Sequence, residues 1–279
     1  MTTAPDEDAD RASPPPRTRW ARALTASPTI RGVVGVAVLF ALFELFTRAE
    51  PVNPEYLPPA SRIVARTLGL LVDPAFLRHV WATMSAWAVG LGIAVSVAVP
   101  VGVLLGASER AYRATHALIE FLRPIPSVAL IPVAILLFGQ GLQMKVSLVV
   151  YGSLWPILFN TIYGMHGVDP VAKETARSFG FGRLSILARV AVPSAAPFVW
   201  TGIRVAAAIA LILAISAELL SGGTRGIGTY MVLVQQSGRQ DLVYAGTIVT
   251  GIVGFLLNWA FVRAEHRLFG WQPALRSVE

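Results

Sequence analysis

Four stretches of this sequence run for about 20 residues or more without a charged side chain: Val80 to Ser108, Pro124 to Met144, Val146 to Met165 and Leu242 to Val262. A helix of that length spans the hydrocarbon of a bilayer. Two further stretches are less clean. Gly32 to Phe46 is short and holds Glu44, and Ala195 to Leu220 carries Arg204 and Glu218. Only 14% of residues are charged and mean hydropathy is +0.62, whereas about a quarter are charged in soluble domains. The expected fold is an all-α polytopic membrane protein of about six transmembrane helices.

The formal charge of +7 does not point to nucleic acid, because the basic residues lie between the apolar spans. Placing the N-terminus inside gives the inner segments 15 Lys and Arg: five before the first span, three after the second, four after the fourth and three after the sixth. The outer segments then hold seven: Arg48, Arg62, Arg66, Arg78, Lys145, Arg225 and Arg239. The positive-inside rule favours both termini in the cytoplasm. Residues 1–30 read as a polar cytoplasmic tail without fixed structure, 31–265 as the transmembrane domain and 266–279 as a cytoplasmic tail. No small-residue cleavage site follows the first apolar run, so that span is expected to stay in place. In the outer segment, Pro58-Pro59-Ala60-Ser61 supplies a stop and an N-cap, and Ile63, Val64, Thr67, Leu68 and Leu71 follow at helical spacing. An amphipathic helix at the outer membrane surface is expected there.

The connection between the fourth and fifth spans, residues 166–196, is too long for a simple loop. It reads as two short helices. Asp169 is an N-cap, Pro170 fits the first helical position, and Gly180 is placed for a left-handed stop. A second helix places Leu184, Leu187, Ala188 and Ala191 on one face, with Pro193 and Pro197 bounding or bending its far end.

Within this loop, Glu174-Thr175-Ala176 is followed by three residues and Gly180, and nine residues later by Val190, Ala191, Val192 and Pro193. That pattern resembles the cytoplasmic signature of the permease subunits of binding-protein-dependent ABC importers, with Thr for the middle Ala and Val for Ile and Leu. Leu122-Arg123-Pro124-Ile125-Pro126, Trp155-Pro156 and Ala217-Glu218-Leu219-Leu220 with Gly226-Ile227-Gly228 are similar to the nitrate/sulfonate/taurine branch. The resemblance implies an inner-membrane permease whose loop, through Glu174, Thr175, Ala176, Gly180, Val190, Val192 and Pro193, couples to cytoplasmic ABC ATPase subunits. It also implies a homodimer, an extracytoplasmic substrate-binding protein, and a small anion such as a sulfonate, taurine or nitrate as cargo. ATP and Mg would sit on the partner ATPase, with no cofactor on this chain.

The sequence is consistent with that division of labour. It has no GxxxxGK[ST] phosphate loop, no HExxH, no nucleophile–base constellation and no cysteine, so neither an enzyme nor a metal site is expected. Among polar residues in the spans, Glu218, Asn160, Tyr151 and Ser153 are candidates for the translocation path. For Glu218 the alternatives are steadying the outer loop or an idle place among headgroups; for the other three it is hydrogen bonding between helices. Arg204 and Glu44 are expected to reach the interfaces, and the glycines at 90, 92, 102 and 106 to permit close helix packing. The rival reading is an ion-gradient-driven secondary transporter, which calls for carboxylates or broken helices near the midplane.

Overall fold

The computed structural model describes residues 28–49, 52–53, 55–223 and 225–269, and these are helical with no strand. Most of the expected N-terminal tail and the end of the C-terminal tail lie outside the described residues. The helices are α1 (Pro28–Arg48), α2 (Ala60–Val72), α3 (Pro74–Ala107), α4 (Glu109–Leu122), α5 (Ile131–Phe138), α6 (Leu142–His166), α7 (Pro170–Ser178), α8 (Arg183–Ile186), α9 (Val192–Ser221), α10 (Ile227–Gln236) and α11 (Gln240–Phe269). Five of the helical runs are long and apolar enough to cross a membrane: α1, α3, α6, the continuous run from α8 through α9, and α11. A sixth candidate is the pair α4 and α5, bent by 76°.

The chain falls into two compact units, Met1–Ser61 and Arg62–Glu279. In the first, Glu44 near the end of α1 pairs with Arg48 at 2.7 Å and accepts hydrogen bonds from the Ser61 N–H (2.9 Å) and hydroxyl (2.8 Å). Ser61 is therefore not the expected N-cap of α2. The Glu44 carboxylate takes one of the N–H groups that the start of a helix leaves open.

In the second unit, α3, α6 and α9 form the core. Gly90, Gly102 and Gly106 of α3 face α6 so closely that a built Cβ would lie 2.5 Å from Val149 Cγ1, 2.6 Å from Thr161 Cβ and 2.5 Å from Met165 Cβ. Gly92 points to open space instead. Small side chains thus let two backbones approach where lipid offers no hydrophobic drive to associate. We expect Gly102→Leu to destabilise the bundle by about 1–3 kcal/mol through overpacking; Gly92→Leu should be close to neutral, and paired melting curves in detergent would test both.

Two expectations need correction. Pro124 to Met144 is not one straight span. Pro124 and Pro126 lack N–H donors, a 3₁₀ turn covers Ser127–Leu130, and α5 stops at Gly139, whose φ is 68°. The second helix of the loop is also not bounded by Pro193. It passes through a π turn at Leu187–Ala191, with Val192 N–H bonded to the Leu187 carbonyl, and continues as α9 through Pro197. The widened turn sits just ahead of Pro193, which removes a donor from the normal ladder. In α2, Ile63, Thr67 and Leu70 are buried while Val64, Leu68 and Leu71 are exposed, so the expected apolar residues divide between two faces. Leu70 packs in a cluster with Phe76, Ile227, Leu242 and Val249.

Candidate functional site

The loop between α6 and α9 folds as a sharp elbow. The Asp169 carboxylate accepts from Val171 N–H at 2.8 Å, with Pro170 opening α7. At the far end Gly180 adopts φ 82°. Its N–H reaches the Arg177 carbonyl (2.9 Å) and Phe181 N–H reaches Ala176 (3.1 Å), the paired bonds of a Schellman stop. Ala176 is buried and Val190 half-buried; Glu174, Thr175, Gly180, Val192 and Pro193 are exposed. The tip carries large apolar side chains in the open, with Phe179 79% and Leu184 81% exposed and Phe181 exposed as well; Val171, in the first turn of α7, is also exposed. Of the residues expected on one face of the second helix, Ala191 is buried and Leu187 half-buried, while Leu184 and Ala188 are exposed. Lys173, Arg177 and Arg183 border a cavity of about 420 Å³ under the elbow, floored by Gly106 and Met165. Exposed apolar groups rimmed by charge mark an interaction surface.

The opposite end of α9 holds a buried ion pair. Glu218, 1% exposed, meets Lys145 Nζ at 2.9 Å, and Lys145 is itself 6% exposed. Lys145 also donates to the Arg225 carbonyl (2.9 Å). The Thr83 hydroxyl donates to the carboxylate (2.9 Å) and accepts from Ile227 N–H (2.9 Å), while Gly228 N–H donates to Glu218 Oε2 (3.0 Å). His79 Nδ1 lies 3.1 Å from both the N and the O of Gly226. One carboxylate thus ties α3, α6 and α9 to the turn before α10. The Gly226-Ile227-Gly228 motif has a physical reason here. A Cβ on Gly226 would overlap the Glu218 carboxylate, and one on Gly228 would lie 2.7 Å from the Ile215 carbonyl oxygen.

The remaining path candidates lie apart from this pair. Ser153 is fully buried and its hydroxyl faces the Ala206 carbonyl at 3.4 Å. The Tyr151 hydroxyl donates to Leu122 at 2.7 Å, and the Asn160 amide donates to the Pro156 carbonyl at 2.8 Å. Arg204 pairs with Glu265, near the end of α11, at 2.9 Å.

Sequence reasoning missed Lys145 as a partner for Glu218, although each is the lone charge at the same end of its span. It also missed Asp241, which is 5% exposed and meets Arg66 at 2.8 Å, Arg62 at 3.5 Å and Arg239 at 3.9 Å. Those arginines counted only as topology signals. Asp241 also sits in the first turn of α11, where a negative charge complements the helix dipole. Asp241→Asn removes the charged acceptor and is expected to destabilise this corner by about 1–3 kcal/mol. Faster protease cleavage in the α10–α11 turn would register that loss, and an unchanged digestion pattern would contradict it.

The Binding-protein-dependent transport system inner membrane component family matches residues 98–270. The taurine transport system permease protein TauC of Escherichia coli is 28% identical over 263 residues, covering 91% of this chain and 94% of that protein. The putative aliphatic sulfonates transport permease protein SsuC of Bacillus subtilis is 29% identical over 244 residues (87% and 88%). The nitrate import permease protein NrtB of Synechocystis is 26% identical over 238 residues (82% and 85%). Among solved structures, the MetNI methionine ABC transporter in an inward-facing conformation aligns with a TM-score of 0.61 at 20% identity, covering 69% of this chain and 95% of that one.

Proposed function

The chain belongs to the binding-protein-dependent inner-membrane components, the permease subunits of ABC importers, and from that membership we propose that it carries a small solute with an anionic group, of the sulfonate, taurine or nitrate type. Support for the cargo comes from the relatives, whose names specify taurine, aliphatic sulfonates and nitrate. On this reading two copies form the pathway, ATP and Mg are held by separate ATPase subunits, and an extracytoplasmic binding protein delivers the substrate. Both termini and the elbow lie in the cytoplasm, and the Lys145–Glu218 end faces outward.

The observation that carries the coupling role is the elbow itself. Its stop at Gly180 and its exposed Phe179 and Leu184 form a stiff knob that a rigid partner can grip and displace. Because α8 runs through the π turn into α9, a push on the knob is applied directly to a core helix. Nucleotide binding to the ATPase pair then favours one arrangement of the helices over another. The chain supplies no hydrolytic groups to this cycle, and its work is mechanical.

Isolation of the tagged chain from its native host in mild detergent tests the assignment. An ATPase and a second permease copy are expected to co-purify, and proteoliposomes with the binding protein should take up taurine, methanesulfonate or nitrate only with ATP. Uptake driven by an ion gradient without ATP would overturn this proposal.

A further inference from the structure

Beside the buried ion pair lies a cavity of about 160 Å³, bounded by α3, the start of α6, the end of α9 and the first turn of α10. Its polar lining is Lys145, Glu218, Arg225, Thr229, Ser85 and Ser221. Three observations give it a charge preference. Glu218 is the one carboxylate among these lining residues and is already matched by Lys145, leaving the exposed Arg225 in excess. Gly141 and Leu142, at the start of α6, also line it, and no side chain caps that helix, so its open N–H groups and the positive end of its dipole remain available. The Thr229 hydroxyl, in a residue only 2% exposed, has no hydrogen-bond partner. Such an atom is costly to leave unpaired, and in a polar cavity it calls for an occupant. At about 30 Å³ per water, the space holds a few waters or one small anion with part of its hydration shell.

We propose that this cavity is a subsite for a small monovalent oxyanion, bound by the Thr229 hydroxyl, the Arg225 guanidinium and the remaining proton donor of Lys145. Its place on the transport route rests on the importer reading above, since only then does this end of the bundle face the delivered substrate. The Glu218 carboxylate limits the charge accepted. It leaves room for one net negative charge and disfavours a dianion such as sulfate. A bound anion would share the Lys145 ammonium with Glu218, which links occupancy to the contact that ties α3, α6 and α9 together.

The test uses the full chain in lipid nanodiscs, with thermal unfolding followed against methanesulfonate, nitrate, chloride and sulfate at matched ionic strength. Methanesulfonate or nitrate should raise the midpoint by several degrees in a saturable way. Thr229→Val keeps the shape and removes an unpaired hydroxyl, so its unliganded stability should not fall; its half-saturation should weaken roughly tenfold. Arg225→Gln should weaken binding similarly. Equal shifts with all four salts, or the same shifts in wild type and both variants, would refute the subsite. ATPase co-purification is scored on the same preparation, so a chain that assembles with its ATPase yet shows no selective shift removes the subsite and spares the importer reading. A chain that binds the anion without any ATPase does the reverse.

Discussion

Replacing Lys145 by methionine is expected to cost about 3–5 kcal/mol of stability, because it leaves Glu218 buried and uncompensated. Methionine occupies similar length, so the loss is one of charge more than of packing. Glu218 keeps two other contacts, from the Thr83 hydroxyl and Gly228 N–H, and neither carries a positive charge. The reciprocal change, Glu218→Leu, strands Lys145 in the same way and in addition leaves Gly228 N–H without its acceptor. The double variant Lys145→Met with Glu218→Leu removes both charges. Apolar replacement of a whole buried pair is often neutral or better, so the double variant should recover much of the loss. Melting of detergent-solubilised protein from all four members of this cycle gives the coupling energy. Additive single effects would show that the pair contributes nothing as a pair, and the tie between α3, α6 and α9 would need another explanation.

What was legible in the sequence depended on how far apart the interacting residues lie. The elbow could be read because each of its signals is local. Asp169 caps two residues ahead, Pro170 opens the helix it begins, and Gly180 terminates it through bonds to Arg177 and Ala176. The placement of five of the apolar spans was legible for a similar reason, since the bilayer imposes a length on each run. The Lys145–Glu218 pair was not, because 73 positions separate the partners and nothing local sets the depth of either. The same holds for Arg66 and Asp241, 175 positions apart. The break between α4 and α5 was written in Pro124, Pro126 and Gly139, yet the uninterrupted apolar character of the segment concealed it. Composition reports the solvent, and here it outweighed the backbone signals.

Gly180→Arg is expected to abolish co-purification of the ATPase while the chain remains inserted and folded. Gly180 has φ 82°, where a side-chain-bearing residue costs about 1–2 kcal/mol, a population change of about tenfold. That strain falls on the Schellman stop, and relieving it rotates Phe181 and α8 away from α7. The core does not depend on this residue, since a Cβ at Gly180 would meet nothing within 4 Å. The same open space separates two causes. Bulk at position 180 is harmless to the isolated chain and acts only when a partner seats against the elbow. Asparagine tolerates the left-handed region better than most residues, so Gly180→Asn should retain most of the ATPase. Phe179→Ser with Leu184→Ser, which leaves the backbone unstrained but strips the exposed apolar tip, should lose it. If Gly180→Arg and the serine pair both keep the ATPase and ATP-driven uptake, the elbow is not the coupling surface. If only the serine pair loses it, the knob grips through its side chains and the left-handed stop is incidental. Loss in both, with Gly180→Asn largely intact, is the result the geometry of Gly180, Phe179 and Leu184 requires.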